Sequence, residues 1–178
     1  ATAYVLEDAV LLLVSANRCQ QLIELMDRYI FFADQVQLKD LTADTATFSL
    51  LGPKSDALLE QLGAGKIISQ PYASHQLLQL GDLEVRVAVG SGLAIPGYTL
   101  IVPTSNAQLL WDKLIAAEAV PLTQPGWEQL RIEQGRPAPE HELTEDYNPL
   151  EAGLWQTISF NKGCYIGQET IARLNTYK

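Results

Sequence analysis

Apolar and polar positions recur along most of this chain with periods that predict its elements. Residues 2–6 and 9–14 are short apolar runs on either side of Glu7-Asp8 and predict two strands joined by a turn. Asn17 offers a cap for the helix that follows. There Leu22, Ile23, Leu25, Met26, Tyr29 and Ile30 recur at helical spacing, with Cys19 on the same face. Residues 36–39 predict a short strand. Within 43–51, Ala46, Phe48 and Leu50 alternate with Thr45, Thr47 and Ser49, which predicts another. Gly52-Pro53 punctuates the pattern, and Pro53 suits the first turn of a helix carrying Leu58, Leu59 and Leu62. Gly63-Ala64-Gly65 ends it. Residues 75–80 and 83–89 read as a hairpin around Gly81-Asp82. A glycine-rich loop over 90–97 leads to a strand at 98–102. Residues 104–117 predict a helix with Leu109, Leu110, Trp111 and Leu114 on its buried side, and 125–134 a helix started by proline.

Residues 135–153 break all periodicity. They hold Pro137, Pro139 and Pro149 among several acids. Ordinary connections run about 4–6 residues, so this stretch predicts a functional loop or one packed on itself. A strand over 155–160 and a helix over 166–174, running on to the end of the chain, complete the pattern. Strands and helices in this mixed order predict an α+β fold with an antiparallel or mixed sheet, not a doubly wound parallel one. Two modules are expected, an α+β module over 1–120 and a second over 121–178. Ala1 opens almost at once into a strand, and Lys178 closes a helix without a capping glycine. Both ends predict a piece of a longer chain.

Composition narrows the function classes. With 178 residues the chain can bury a core without disulfides or metal, and 47% apolar residues exclude disorder. Twelve Lys and Arg against 21 Asp and Glu give a net charge of −9. No basic cluster interrupts that charge, which repels nucleic-acid phosphates and anionic membranes. The longest apolar run, 9–14, falls far short of the ~20 residues that span a bilayer. The only two cysteines, Cys19 and Cys164, form neither a disulfide framework nor a metal-ligand set. A reducing compartment is expected: the cytoplasm, or an organelle matrix or stroma if a longer chain carries a transit peptide.

Several motifs yield to plain readings. Gly63-Ala64-Gly65-Lys66 resembles half a phosphate loop, but Glu60 and Ile67 stand where the motif needs glycine and Ser or Thr. Gly90-Ser91-Gly92 lacks the third glycine of a dinucleotide fingerprint, with Ile95 in its place. His75 reads as a surface or interface residue. His141, between Glu140 and Glu142, reads as part of a solvated acidic loop, although three such ligands could meet a metal. Cys19 reads as an inert thiol on an apolar helix face. Cys164 differs. It lies in Asn161-Lys162-Gly163-Cys164-Tyr165-Ile166-Gly167-Gln168-Glu169, with Lys162 close by and a helix expected from Ile166. A cation and a helix N-terminus both favour thiolate, and Gly163 and Gly167 leave room beside the sulfur. On these residues alone a reactive thiol and a plain turn cysteine both stand.

The run Lys162-Gly163-Cys164-Tyr165-Ile166-Gly167-Gln168-Glu169 closely resembles the Lys-Gly-Cys-aromatic-x-Gly-Gln-Glu signature of the YgfZ family, folate-binding proteins related to the T-protein of the glycine cleavage system. Leu130-Arg131-Ile132-Glu133-Gln134-Gly135, Pro149-Leu150-Glu151-Ala152-Gly153-Leu154, Leu51-Gly52-Pro53 and Gly97-Tyr98 agree with it. The resemblance implies a T-protein-like (GcvT-like) folate domain of α+β modules with antiparallel sheets. It also implies domain residues upstream of Ala1 and a β-barrel beyond Lys178, both outside this chain. It implies tetrahydrofolate or a folate derivative as ligand, and iron–sulfur proteins or their assembly machinery as partners. Cys164 becomes the functional thiol. Glu133, the acid of an Arg-x-Glu segment with Arg131, becomes the contact to a pterin's amino and ring N–H groups, its plain alternative being a surface acid paired with Arg136. Lys162, Gly163, Gly167 and Gln168 of the signature join the folate site, and Arg173 could meet the glutamyl tail. Two other functions stand beside this one: an aminomethyltransferase, against which the cysteine of the signature argues, and a folate-fold module kept for protein contacts.

Overall fold

The computed structural model describes residues 1–176; the expected helical end at Lys178 lies outside the described residues. The chain forms two compact units, Ala1–Trp127 and Glu128–Lys178. In the first, β1 (Thr2–Val5) and β2 (Val10–Leu13) pair antiparallel with Val5 opposite Val10. The Leu6 N–H closes the turn on the Ala9 carbonyl. A single 3-10 turn leads into α1 (Cys19–Asp27). The 3-10 turn is flanked by Ser15 and the helix by Arg18, so Asn17 lies inside the turn and does not take the N-cap position. Then come β3 (Thr45–Leu51), α2 (Ser55–Gln61), β4 (His75–Leu80), β5 (Leu83–Val89), β6 (Gly97–Pro103) and α3 (Ala107–Ala116).

The last four strands make one antiparallel sheet in the order β3-β6-β5-β4. Alternation assigns its two faces. Leu83, Val85 and Val87 of β5 and Tyr98, Leu100 and Val102 of β6 point to one side, where Leu58 and Leu59 of α2 and Leu110 and Leu114 of α3 complete the main core. The opposite face carries Ala88 and Ile101, covered by Tyr4, Leu11 and Leu13 of the hairpin. Fully burying each such aliphatic side chain stabilises by about 1.5–3 kcal/mol. The Tyr98 hydroxyl donates to Asp56 at 2.7 Å, and burial, followed by that carboxylate, pushes its pKa up.

Two expected strands are absent. Residues 36–39 join no strand of either sheet. Leu38 instead faces a cavity. Residues 155–160 begin as a 3-10 turn, Trp155–Thr157, in which the Thr157 hydroxyl and N–H both donate to the Leu154 carbonyl. An apolar alternation without a neighbouring strand edge has no ladder to join. The loop over 135–153 is irregular as expected, and α4 (Gln124–Glu133) and α5 (Gln168–Thr176) each depart from the expected bounds by one or two residues. No helix among the described residues is long and apolar enough to cross a membrane.

Gly97 opens the most buried strand at a point where β3 lies close. A Cβ there would stand 2.1 Å from the Leu50 carbonyl oxygen, backbone that cannot swing aside. Gly92 also has a positive φ, +85°, but open space around it. Gly97→Ala should therefore lower the stability in chemical denaturation by about 3 kcal/mol or more, and Gly92→Ala by only about 1–2 kcal/mol, the torsional cost alone. Equal losses would mean that the clash at Gly97 relaxes.

Candidate functional site

The candidate site lies in the second unit and starts with the turn around Cys164. Gly167, at φ +87°, turns the chain into α5 through a backbone conformation that favours glycine. The turn caps itself. The Gln168 side-chain oxygen accepts the Tyr165 N–H at 3.0 Å, while the Gln168 N–H donates to the Tyr165 carbonyl at 3.2 Å. Ile171, buried one turn on, anchors the helix. Cys164 stands just outside this cap and is exposed. No heavy atom lies within 4 Å of where a Cβ would sit at Gly163 or Gly167, so a ligand or a protein thiol can reach the sulfur. Tyr165, Gly167, Gln168, Glu169 and Thr170 bound a small hollow next to it in sequence.

The two electrostatic supports expected for a thiolate are arranged otherwise. The Lys162 ammonium lies 5.5 Å from the centre of the Tyr165 ring, a cation–π contact. The helix begins at Gln168, not Ile166, so four positions separate Cys164 from its start. What the turn gives Cys164 is access.

Arg131 shows what sequence reading could not see. It is the buried residue of α4, and its five N–H donors are all spent on the protein. Nε donates to the Glu128 carboxylate at 3.0 Å. Nη1 donates to the Arg136 carbonyl at 2.7 Å and to Glu142 at 2.8 Å. Nη2 donates to Glu128 and Glu142. Glu142 also accepts the Ala138 N–H at 3.1 Å. Arg131 is thus a clamp that ties the start of the 135–153 loop to α4, and it has no donor left for a ligand. Its pKa is pushed up by Glu128 first and Glu142 second. Glu142, expected to be a solvated loop acid, is held down to about 2, by the Arg131 hydrogen bond first and the Ala138 N–H second. The i,i+3 spacing of Glu128 and Arg131 was legible in sequence; the longer reach to Glu142 was not.

Glu133, two residues on, lies on the exposed side of α4. It accepts a hydrogen bond from Gln129 at 2.8 Å, and it is not paired with Arg136. Its carboxylate keeps capacity for further donors. Arg173 is exposed on α5. Among the described residues, no hydrogen bond or ion pair links Glu133 or Arg131 to the turn around Cys164.

A separate cavity of about 390 Å³ lies within the first unit. Strand β2, α1 and residues 37–42 wall it, with Thr45, Thr47 and Ile101 from the sheet. Cys19 is half-buried and faces it, beside Leu22, Ile23 and Met26. It therefore borders a cavity and is not sealed in a core. Asp40 lines the same cavity, its carboxyl lowered chiefly by the Thr42 hydroxyl and N–H.

Comparison with known proteins adds three findings. The family model of the GCVT N-terminal domain matches residues 1–162. The "Putative transferase, chloroplastic" of Arabidopsis thaliana is 49% identical over 99% of this chain, which covers 41% of that protein. The aminomethyltransferases of Synechococcus elongatus and Symbiobacterium thermophilum are 30% and 29% identical over 79% and 78% of this chain, covering 38% and 39% of theirs. The chain spans about two-fifths of the length of these curated relatives.

The clamp has a pH signature. A carboxyl lowered from 4.5 to about 2 contributes stability that is fully present above 4.5 and is lost as pH falls towards 2. Hydrogen exchange over 136–143, corrected for intrinsic rates, should stay flat from pH 8 to 5 and then rise. Glu142→Ala should raise it roughly ten-fold at pH 7, the loss of charge-assisted hydrogen bonds. Arg131→Lys should do likewise, since three donors cannot replace five. Unchanged exchange in both variants would show that the clamp does not hold the loop.

Proposed function

The chain belongs to the GCVT N-terminal domain family, and we propose that it is the part of a YgfZ-like, tetrahydrofolate-binding protein that carries a functional thiol for the assembly or repair of iron–sulfur proteins. The observation that carries this reading is Cys164, exposed between two glycines in an eight-residue signature that ends on a self-capped helix start. The family match stops at residue 162, two positions before that cysteine. The likeness to the Arabidopsis relative runs over 99% of the chain. That difference favours a branch of the family in which the segment around Cys164 has its own task. The location printed in that relative's name supports an organelle stroma as the working compartment.

The residues present were tested against folate. A pterin edge offers an amino group and a neighbouring ring N–H, and one carboxylate can accept both. Glu133 fits, being exposed with acceptor capacity to spare. Arg131 does not fit as a ligand-binding group, because its donors are spent; it supports α4 from behind. Arg173 and Lys162 are cations suited to a carboxylate tail, Lys162 only by leaving the Tyr165 ring. Gly163 and Gly167 admit a ligand close to the backbone, and Gln168 holds the Tyr165 amide in place. Folate bound there would supply one-carbon carrier chemistry. The protein's own part is to orient the ring through Glu133 and to present the Cys164 sulfur to a partner.

A second reading is an aminomethyltransferase, favoured by the 30% identity to the Synechococcus enzyme. Formation of methylenetetrahydrofolate from a lipoyl-bound aminomethyl group by the full-length protein would establish it. Under the first reading that activity is absent. Glu133→Gln should then weaken tetrahydrofolate about ten-fold in calorimetry, as expected for one charge-assisted hydrogen bond. Cys164→Ala should lower iron–sulfur enzyme activities in cells without lowering the protein's abundance.

Alkylation of the native protein at pH 7, read by mass spectrometry, should label Cys164 faster than Cys19. Exposure and the flanking glycines decide it. Faster labelling of Cys19 would remove Cys164 from the proposal.

A further inference from the structure

The hairpin β1–β2 is joined to the sheet by a polar contact whose chemistry permits only one protonation state. His75 opens the edge strand β4. Its Nε2 lies 3.1 Å from the Val5 carbonyl oxygen, and its Nδ1 lies 3.0 Å from Nη1 of Arg86. A carbonyl oxygen can only accept, so Nε2 must carry the hydrogen. A guanidinium can only donate, so Nδ1 must be bare. The ring packs edge-on against Tyr4, centroids 5.3 Å apart, and Tyr4 is the buried residue of the hairpin. Register explains the meeting. His75 pairs with Ala88, and Arg86 stands two residues back on the same face of β5.

We infer that His75 is a proton-sensitive latch that fastens the β1–β2 hairpin to the sheet. A proton added at Nδ1 removes the acceptor of the Arg86 hydrogen bond and sets two cations about 3 Å apart. The groups around the ring offer no relief. Arg86 faces it from β5 and Tyr4 from β1. Tyr72, just before β4, acts electrostatically on Tyr4. Glu84 shares the face of Arg86 two residues away. Among the described residues, no carboxylate is hydrogen-bonded or ion-paired to His75 or Arg86. The two cations part either by a turn of the ring, which breaks the Nε2–H bond to Val5 and the packing on Tyr4, or by a swing of the half-buried Arg86 side chain away from the sheet. Because β2 also walls the cavity that Cys19 faces, the latch governs how firmly one wall of that cavity is held. This rests on the hairpin and sheet alone and is independent of the proposed function.

The test is hydrogen exchange of the full-length protein, read by mass spectrometry on a peptide covering residues 2–13, from pH 7.5 to 5.5 and corrected for intrinsic rates. Opening linked to uptake of one proton by a histidine with the ordinary value of about 6.5 in the open state rises by up to about ten-fold over this range, and a rise of about three- to ten-fold is expected. A peptide from α3 serves as control and should not change. His75→Gln keeps a donor and an acceptor without a titrating proton, and should hold the hairpin equally at both pH values. Arg86→Met removes the repelling cation and should flatten the response. Exchange of wild-type 2–13 that is independent of pH, or a His75→Gln variant with the same pH dependence as wild type, overturns the latch. Should Arg86→Met fail to fold, the His75→Gln comparison decides alone.

Discussion

Strand β6 is buried on both faces over almost its whole length. A strand in that position cannot leave an amide or a carbonyl unpaired, and neither face can be left bare. Everything in the first unit answers that demand. β3 and β5 take its two hydrogen-bonding edges. The helices α2 and α3 cover one face, and the hairpin β1–β2 covers part of the other. The approach of β3 is so close that only a hydrogen atom fits at Gly97.

The two faces are finished differently. The helix-covered face is an apolar core of fully buried side chains. The other face is held by one tyrosine, two small apolar contacts and the polar tie through His75, and it leaves a cavity under β2 and α1. Local stability follows buried apolar contact, so the hairpin side is the part of this unit that can loosen without unfolding the sheet.

The second unit is organised by charge more than by apolar packing. Arg131 gathers Glu128, Glu142 and the Arg136 carbonyl around one guanidinium, and Ile171 provides a buried anchor on α5. A buried arginine with all five donors used is tolerable because its charge is matched by two carboxylates. The loop over 135–153 thereby gains a fixed start, while the turn at 163–167 is left open.

The sequence alone determined the α+β class, the β4–β5 hairpin, the strand at β3 and most of the helices, because period-2 and period-3.6 apolar patterns are local properties. It misplaced strands at 36–39 and 155–160, because a strand needs a partner strand, and pairing is not a local property. It took Glu142 for a loop acid and Arg131 for a ligand-binding group, because ten residues separate the two, most of them irregular, and only the folded loop brings them to 2.8 Å. His75 was legible as a surface or interface residue. That its ring lies between Val5 and Arg86, 70 and 11 positions away, was decided only by the tertiary structure and the register of the sheet.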